Sequence, residues 1–211
     1  MAVTKKNLLK DVIKHIDITK INSLDIIDSM RDMSFSSRDT ARAADILQMM
    51  IKDKDCTNWL TMAGSSSAGG CMQVYVDMVR FNMIDCIVST GASVIDMDFF
   101  EALGYKHYKG TPFVDDGKLR SVYIDRIYDT YIDEEELQHC DATIKTIADS
   151  LEPRPYSSRE FLWETGKWLV KNSVKKESLL QTCYEHGVPV FVPAFSDCSA
   201  GFGLVMHQQE R

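Results

Sequence analysis

A chain of 211 residues with 45 % apolar residues can bury one sizeable core, and one domain is the default expectation. Its formal net charge of −7, with basic residues scattered among acidic ones, argues against nucleic acid as a partner. Its longest apolar stretches, such as residues 188–195, are broken by Pro189 and Pro193 and fall short of the ~20 residues that cross a membrane. The opening residues 1–6 carry no apolar signal segment, and Cys56, Cys71, Cys86, Cys140, Cys183 and Cys198 show no C-x-x-C spacing. Reduced thiols and a cytoplasmic location are expected.

The first part of the chain reads as helical. Leu8, Leu9, Val12, Ile13 and Ile16 fall at helical spacing, as do Leu24, Ile26, Ile27 and Met30 after Ser23, a candidate cap. Ser37 is placed to cap a third helix that buries Ala41, Ala44, Ile46, Leu47, Met50 and Ile51. Residues 1–55 are thus expected to form an amino-terminal helical segment ahead of any strand.

From Asn58 the rhythm changes. A short apolar run, residues 59–63, meets the Gly/Ser turn of residues 64–70, and an apolar helix of residues 72–81 follows. The pattern repeats with a strand at residues 86–89, a small-residue turn at residues 90–93, and a helix ending at Gly104. Two consecutive strand–turn–helix units predict a parallel sheet flanked by helices, an α/β Rossmann-like domain over residues 56–211. Residues 105–131, with Pro112 and the turn pair Asp116-Gly117, are expected to leave the sheet. Helices are expected at residues 133–151, 158–171 and 177–186, then a strand at residues 188–192 and a third small-residue loop at residues 196–203.

In an open α/β sheet, ligands sit beyond the carboxyl ends of the strands, where helix amino termini attract phosphate. All three small-residue loops fall there. Residues 64–70 are the best candidate for a dinucleotide pyrophosphate, since glycine permits close backbone approach and serine adds hydroxyls. The run is neither G-x-G-x-x-G nor a P-loop, and a tight βα turn is the plainer alternative. Thr90, Gly91, Ala92 and Ser93 would line the same crevice and Asp197 would add a carboxylate, although each is otherwise an ordinary helix-capping residue. His15, His107 and His139 lack metal-ligand spacing, so no metal site is expected.

The segments "GSSSAGG", "FNMIDCIVSTGAS", "ALGYKHYKG" and "ESLLQTCYEHGVPVFVPAFSDCSAG" resemble the deoxyhypusine synthase family in order and spacing over roughly residues 24–207. The resemblance implies a Rossmann-like fold, NAD as cofactor, and a homotetramer built from dimers. It also implies oxidation of spermidine and transfer of an aminobutyl group, through an imine on an enzyme lysine, to a translation-factor lysine; close relatives use another amine as acceptor. Carried over by position, Gly64, Ser65, Ser66, Ser67, Ala68, Thr90, Gly91, Ala92, Asp96 and Asp197 would contact NAD. Asp96, Ser199, Phe202 and His207 would fall at the substrate.

The departures from the family pattern all concern the reaction. Ile95 stands for the first of two adjacent glutamates, Asp96 for the second, and Phe202 for an aspartate that holds a substrate amine. Cys198 replaces a glycine and Ala68 a serine. No catalytic residue is identifiable, because Arg211 precedes the region in which the family carries its imine-forming lysine. A fragment of a longer protein is therefore expected, the alternative being a partner chain that completes the fold. The expected function is an NAD-dependent transferase acting on a polyamine or related amine, with a non-catalytic paralogue that binds NAD or regulates an active partner as the alternative.

Overall fold

The computed structural model describes residues 4–210. Met1, Ala2, Val3 and Arg211 lie outside the described residues, and with them part of the opening segment expected to lack a signal.

The first expected helix is much shorter than its apolar spacing suggests. Helix α1 (Lys5–Leu8) ends after four residues, and the chain then runs extended. Val12 bridges Tyr108, Ile13 N–H donates to His107 O at 2.9 Å, and Lys109 N–H donates to Asp11 O at 2.7 Å. A strand-like partner thus satisfies backbone groups that a helix would have paired internally. Helix α2 (Leu24–Ser29) forms where expected, but the hydrogen bond at its start comes from Asn22, whose Oδ1 accepts Leu24 N–H at 3.0 Å; Ser23 makes no cap bond. Helix α3 (Ser36–Lys52) starts two residues early, with Phe35 at its cap position, which puts Ser37 inside its first turn. Of its expected buried face only Ala41 is buried, while Ile46, Leu47 and Ile51 are 43 %, 37 % and 36 % exposed.

Strand β1 (Trp59–Met62) leads through residues 63–66 and a wide turn, Ser67–Cys71, into α4 (Met72–Arg80). Strand β2 (Cys86–Ser89) leads into a wide helical segment, Ala92–Phe99, that runs on as α5 (Phe100–Ala102). The expected excursion is more regular than its sequence suggests. Strand β3 (Tyr108–Lys109), helix α6 (Asp116–Arg120), and strands β4 (Ile124–Ile127) and β5 (Thr130–Asp133) build an antiparallel sheet in the order β3-β5-β4. Helices α7 (Glu134–Ser150), α8 (Ser158–Asn172) and α9 (Leu179–His186) follow. Strand β6 (Val190–Phe191) then completes a parallel sheet in the order β1-β2-β6, and α10 (Ala200–Gln209) takes in Phe202, which was expected in a loop.

Strand β2 is central, and its Cys86, Ile87 and Val88 form the continuous apolar run that a strand covered on both faces requires. Ile87, Ile95, Phe99, Phe100, Ile144, Leu169 and Leu179 are all inaccessible to solvent and join strands and helices in one core. Local chemistry fixes the helix ends. Asp133 accepts from the N–H groups of Glu135 and Glu136, so the acidic run after it decorates a first turn, and Gly187, left-handed at φ 74°, ends α9.

One buried carboxylate joins the second crossing to α9. Asp98 is 1 % exposed and accepts from Leu179 N–H at 2.7 Å and Leu180 N–H at 2.9 Å. Replacement by alanine strands two buried amide donors. Asp98→Ala is therefore expected to lower unfolding free energy by roughly 3 kcal/mol, read as a lower denaturant midpoint at unchanged slope.

Candidate functional site

The first loop leaves β1 at Met62, and Gly64 turns it with φ +71°, a conformation that favours glycine. A Cβ at Gly64 or Gly69 would meet nothing within 4 Å, so these faces are open. Gly69 N–H bonds back to Ser65 O at 2.8 Å and Cys71 N–H to Ser66 O at 3.0 Å, which leaves the amides ahead of them at the open end of the turn. Ser65 and Ser66 lie toward the surface, Ser66 sharing a 2.8 Å hydrogen bond with the Tyr75 hydroxyl. Ser67 and Ala68 face the core at 1 % exposure, and the Ser67 hydroxyl is spent on Met97 Sδ. Of these two only the backbone remains for a ligand.

The second loop is stitched to the first. Thr90 N–H donates to Met62 O at 3.3 Å, and Ser93 Oγ lies 3.1 Å from both Gly64 O and Thr90 Oγ1. The third loop closes against the second: a Cβ on Gly91 would come within 2.5 Å of Cys198 Sγ, so only glycine allows this approach. Asp96 then ties the second crossing to the start of α10, accepting from Ser199 N–H at 3.1 Å and Ser199 Oγ at 2.6 Å. Burial pushes the Cys198 thiol up to about 11, which keeps it protonated at neutral pH.

A crevice of about 380 Å³ opens where the three strands end, lined by Thr61, Ala63, Ser89, Thr90, Pro193 and Asp197 among others. Thr90 and Asp197, from the second and third loops, thus share one cavity, with Gly64 beside Ala63 at its edge. The substrate set is not gathered in the same way. Asp96 and Ser199 touch, but Phe202 stands 69 % exposed on α10 and lines no part of the crevice. His207 pairs with Asp149 at 2.6 Å and lines a separate cavity of about 470 Å³, between the end of α7, the start of α8 and α10.

Parallel strands flanked by helices, with glycine- and serine-bearing loops converging at their carboxyl ends, define a Rossmann-like α/β protein. The sequence model of the deoxyhypusine synthase family matches residues 25–211. A deoxyhypusine synthase-like protein of Caulobacter vibrioides is 66 % identical over 98 % of this chain and 57 % of its own length. One from Coxiella burnetii is 60 % identical over 99 % of this chain and 59 % of its own. A crystal structure from Entamoeba histolytica, described as a candidate deoxyhypusine synthase, superposes with a TM-score of 0.63 at 18 % identity, over 93 % of this chain and 67 % of that one. The chain belongs to the deoxyhypusine synthase family, and it spans less than three-fifths of the length of these two sequence relatives.

The two positions without a family carboxylate differ in surroundings: Ile95 is fully buried in the core and Phe202 faces solvent. A carboxylate that sequence reasoning missed stands nearby. Asp141 on α7 flanks the buried stripe of Cys140 and Ile144; its only sequence signal is a charge beside an apolar face. Its Oδ1 is buried and unpaired, and the Asp141 backbone lies against Gly203 of α10. Burial pushes its carboxyl up to about 6, Ser199 draws it partway back, and the Asp96 charge raises it again. Burial likewise raises Asp96, against the two bonds from Ser199.

A carboxyl raised in the folded state contributes stability that is present below its unfolded value and lost as pH rises through the folded one. For Asp141 the loss falls between the ordinary 3.8 and about 6. The unaltered protein therefore gains stability from this group between about pH 7 and about pH 5, and Asp141→Asn removes that gain. Melting temperatures of both proteins at the two pH values check this: the variant should show the smaller rise, or the larger fall, on acidification.

Proposed function

We propose that this chain carries the cofactor-binding part of a deoxyhypusine synthase-like transferase. It holds NAD across its three loops and acts on a polyamine such as spermidine or a related amine. The carrying observation is the crevice shared by Thr90 and Asp197, with the open first-loop turn beside it, in a chain of this family. The residues present suit a dinucleotide. The amides of Ser65 and Ser66 and the open faces of Gly64 and Gly69 offer donors and room for phosphate. Ser67, Ala68, Gly91 and Ala92 contribute backbone and close approach. Asp197 offers a carboxylate to ribose hydroxyls.

NAD, when bound, accepts the hydride lost as an amine becomes an imine. This chain's residues orient the ring, exclude water and hold the amine. Asp96 and Asp141 supply negative charge near the position where Phe202 withdraws it, and Ser199 fixes their geometry. Their raised carboxyls favour a charged amine as the missing partner, since a cation restores ionisation. The acceptor is a lysine of a translation factor or a free amine, and no lysine of this chain is assigned the imine-forming role. The assembly is a cytoplasmic homotetramer built from dimers.

A non-catalytic reading draws on Ile95 and Phe202, since neither can hold an amine. In that case the chain binds NAD, or assembles with and regulates an active partner, without turnover. Calorimetric titration with NAD, followed by amines with reduced-cofactor absorbance as readout, separates the readings. The expected result is micromolar NAD binding, weakened about ten-fold by Asp197→Ala, which is roughly 1.4 kcal/mol. Absence of NAD binding contradicts the proposal. NAD binding without amine oxidation, with the downstream sequence of the relatives restored, selects the non-catalytic reading.

A further inference from the structure

A buried polar cluster lies apart from the crevice. Glu101, in α5, is 8 % exposed, and its carboxylate meets His15 Nε2 at 2.7 Å, His107 Nδ1 at 2.9 Å and Lys175 Nζ. The donors come from the extended amino-terminal segment, the lead into β3 and the link between α8 and α9. Burial by itself raises the Glu101 carboxyl, but hydrogen bonds from His107 and His15 and the Lys175 charge outweigh it and hold it well below the carboxylate range.

The other ring nitrogens, His15 Nδ1 and His107 Nε2, are buried and have no hydrogen-bond partner. Lys175 brings positive charge to the carboxylate. Glu101 is thus a three-way anchor.

Its reach extends to the first loop. The segment that carries His15 donates Ile16 N–H to Gly70 O at 2.9 Å and Ile13 N–H to His107 O at 2.9 Å. Gly70 closes the loop at φ +107°, and a Cβ there would stand 3.0 Å from Lys14 O. Residues 13–16 therefore lie directly on the closing residue of the loop. An open cavity of about 330 Å³ runs beside the segment, lined by Val12, Ile13 and Val174 and by His15, Glu101 and Lys175 of the cluster. The bonds from His15 and from the backbone of Ile13 and Ile16 tie the segment to the body at its edge.

We infer that residues 13–16 act as a strap which holds the first loop in its ligand-receiving shape, with Glu101 and His15 as positioning residues that never touch the ligand. The inference rests on the reading of residues 64–70 as the cofactor loop. Removal of the His15 donor frees the strap, and the loop loses the brace at Gly70. Glutamine keeps a donor at the reach of Nε2 and preserves the brace.

Amide hydrogen exchange in the full chain tests this without any cofactor. His15→Ala should speed exchange at Ile16, Gly69 and Cys71 on the order of ten-fold, with Ile87 and Val88 of β2 unchanged. His15→Gln should restore the original rates. NAD affinity should fall several-fold in His15→Ala and recover in His15→Gln. Glu101→Gln, which keeps the shape and removes the charge, supplies a second arm with the same expected pattern should the alanine variant fail to fold. Unchanged exchange at Gly69 and Cys71, equal acceleration across β2, or no rescue by glutamine overturns the inference. An unaltered protein that binds no NAD overturns the cofactor reading instead, and the exchange comparison still decides whether the strap exists.

Discussion

Two side chains hold together the arrangement on which the functional reading stands. Ser93 spans the first and second loops through its hydroxyl, 3.1 Å from Gly64 O and from Thr90 Oγ1. Asp96, one helical turn later, grips the amide and hydroxyl of Ser199 and draws the third loop in. Loops that leave parallel strands share a direction but need not share a cavity; these contacts bring Thr90 and Asp197 to one crevice. Gly91 belongs to the same constraint, since any side chain there collides with Cys198.

Outside that crevice, Ile95 fills the core and Phe202 faces outward, while the carboxylates of Asp96 and Asp141 approach Ser199 from different elements. Burial raises both carboxyls against the bonds from Ser199, and Asp141 Oδ1 keeps no partner. A cation beside them would favour their ionised forms, which is the physical ground of the proposed amine reading.

Much of this was legible in the sequence because it is local. The apolar runs at β1 and β2, each followed by glycine and small polar residues, announce parallel βα units, and the acidic run after Asp133 announces a helix start. What escaped is non-local. The spacing of Leu8 to Ile16 suits a helix, but the residues ran extended because Tyr108, His107 and Lys109 offered backbone partners about a hundred positions away. The apolar face of α3 was correctly seen as apolar, yet little of it is buried within the chain itself. Glu101 and Asp141 carry no motif, and their partners lie on other elements, so only the folded structure reveals them. The short β6 and the early start of α10 moved Phe202 from a loop to an exposed helix face, which no propensity scale separates from its neighbour Gly203 in the core.

The most direct test of a single shared cofactor site is amide chemical-shift mapping during a titration with NAD. The account predicts that Gly64, Ser65, Ser66, Thr90, Gly91 and Asp197 shift together with one common midpoint, while residues around the His207 and Asp149 pair stay still. Shifts confined to the cavity beside His207, or different midpoints for the three loops, would contradict it.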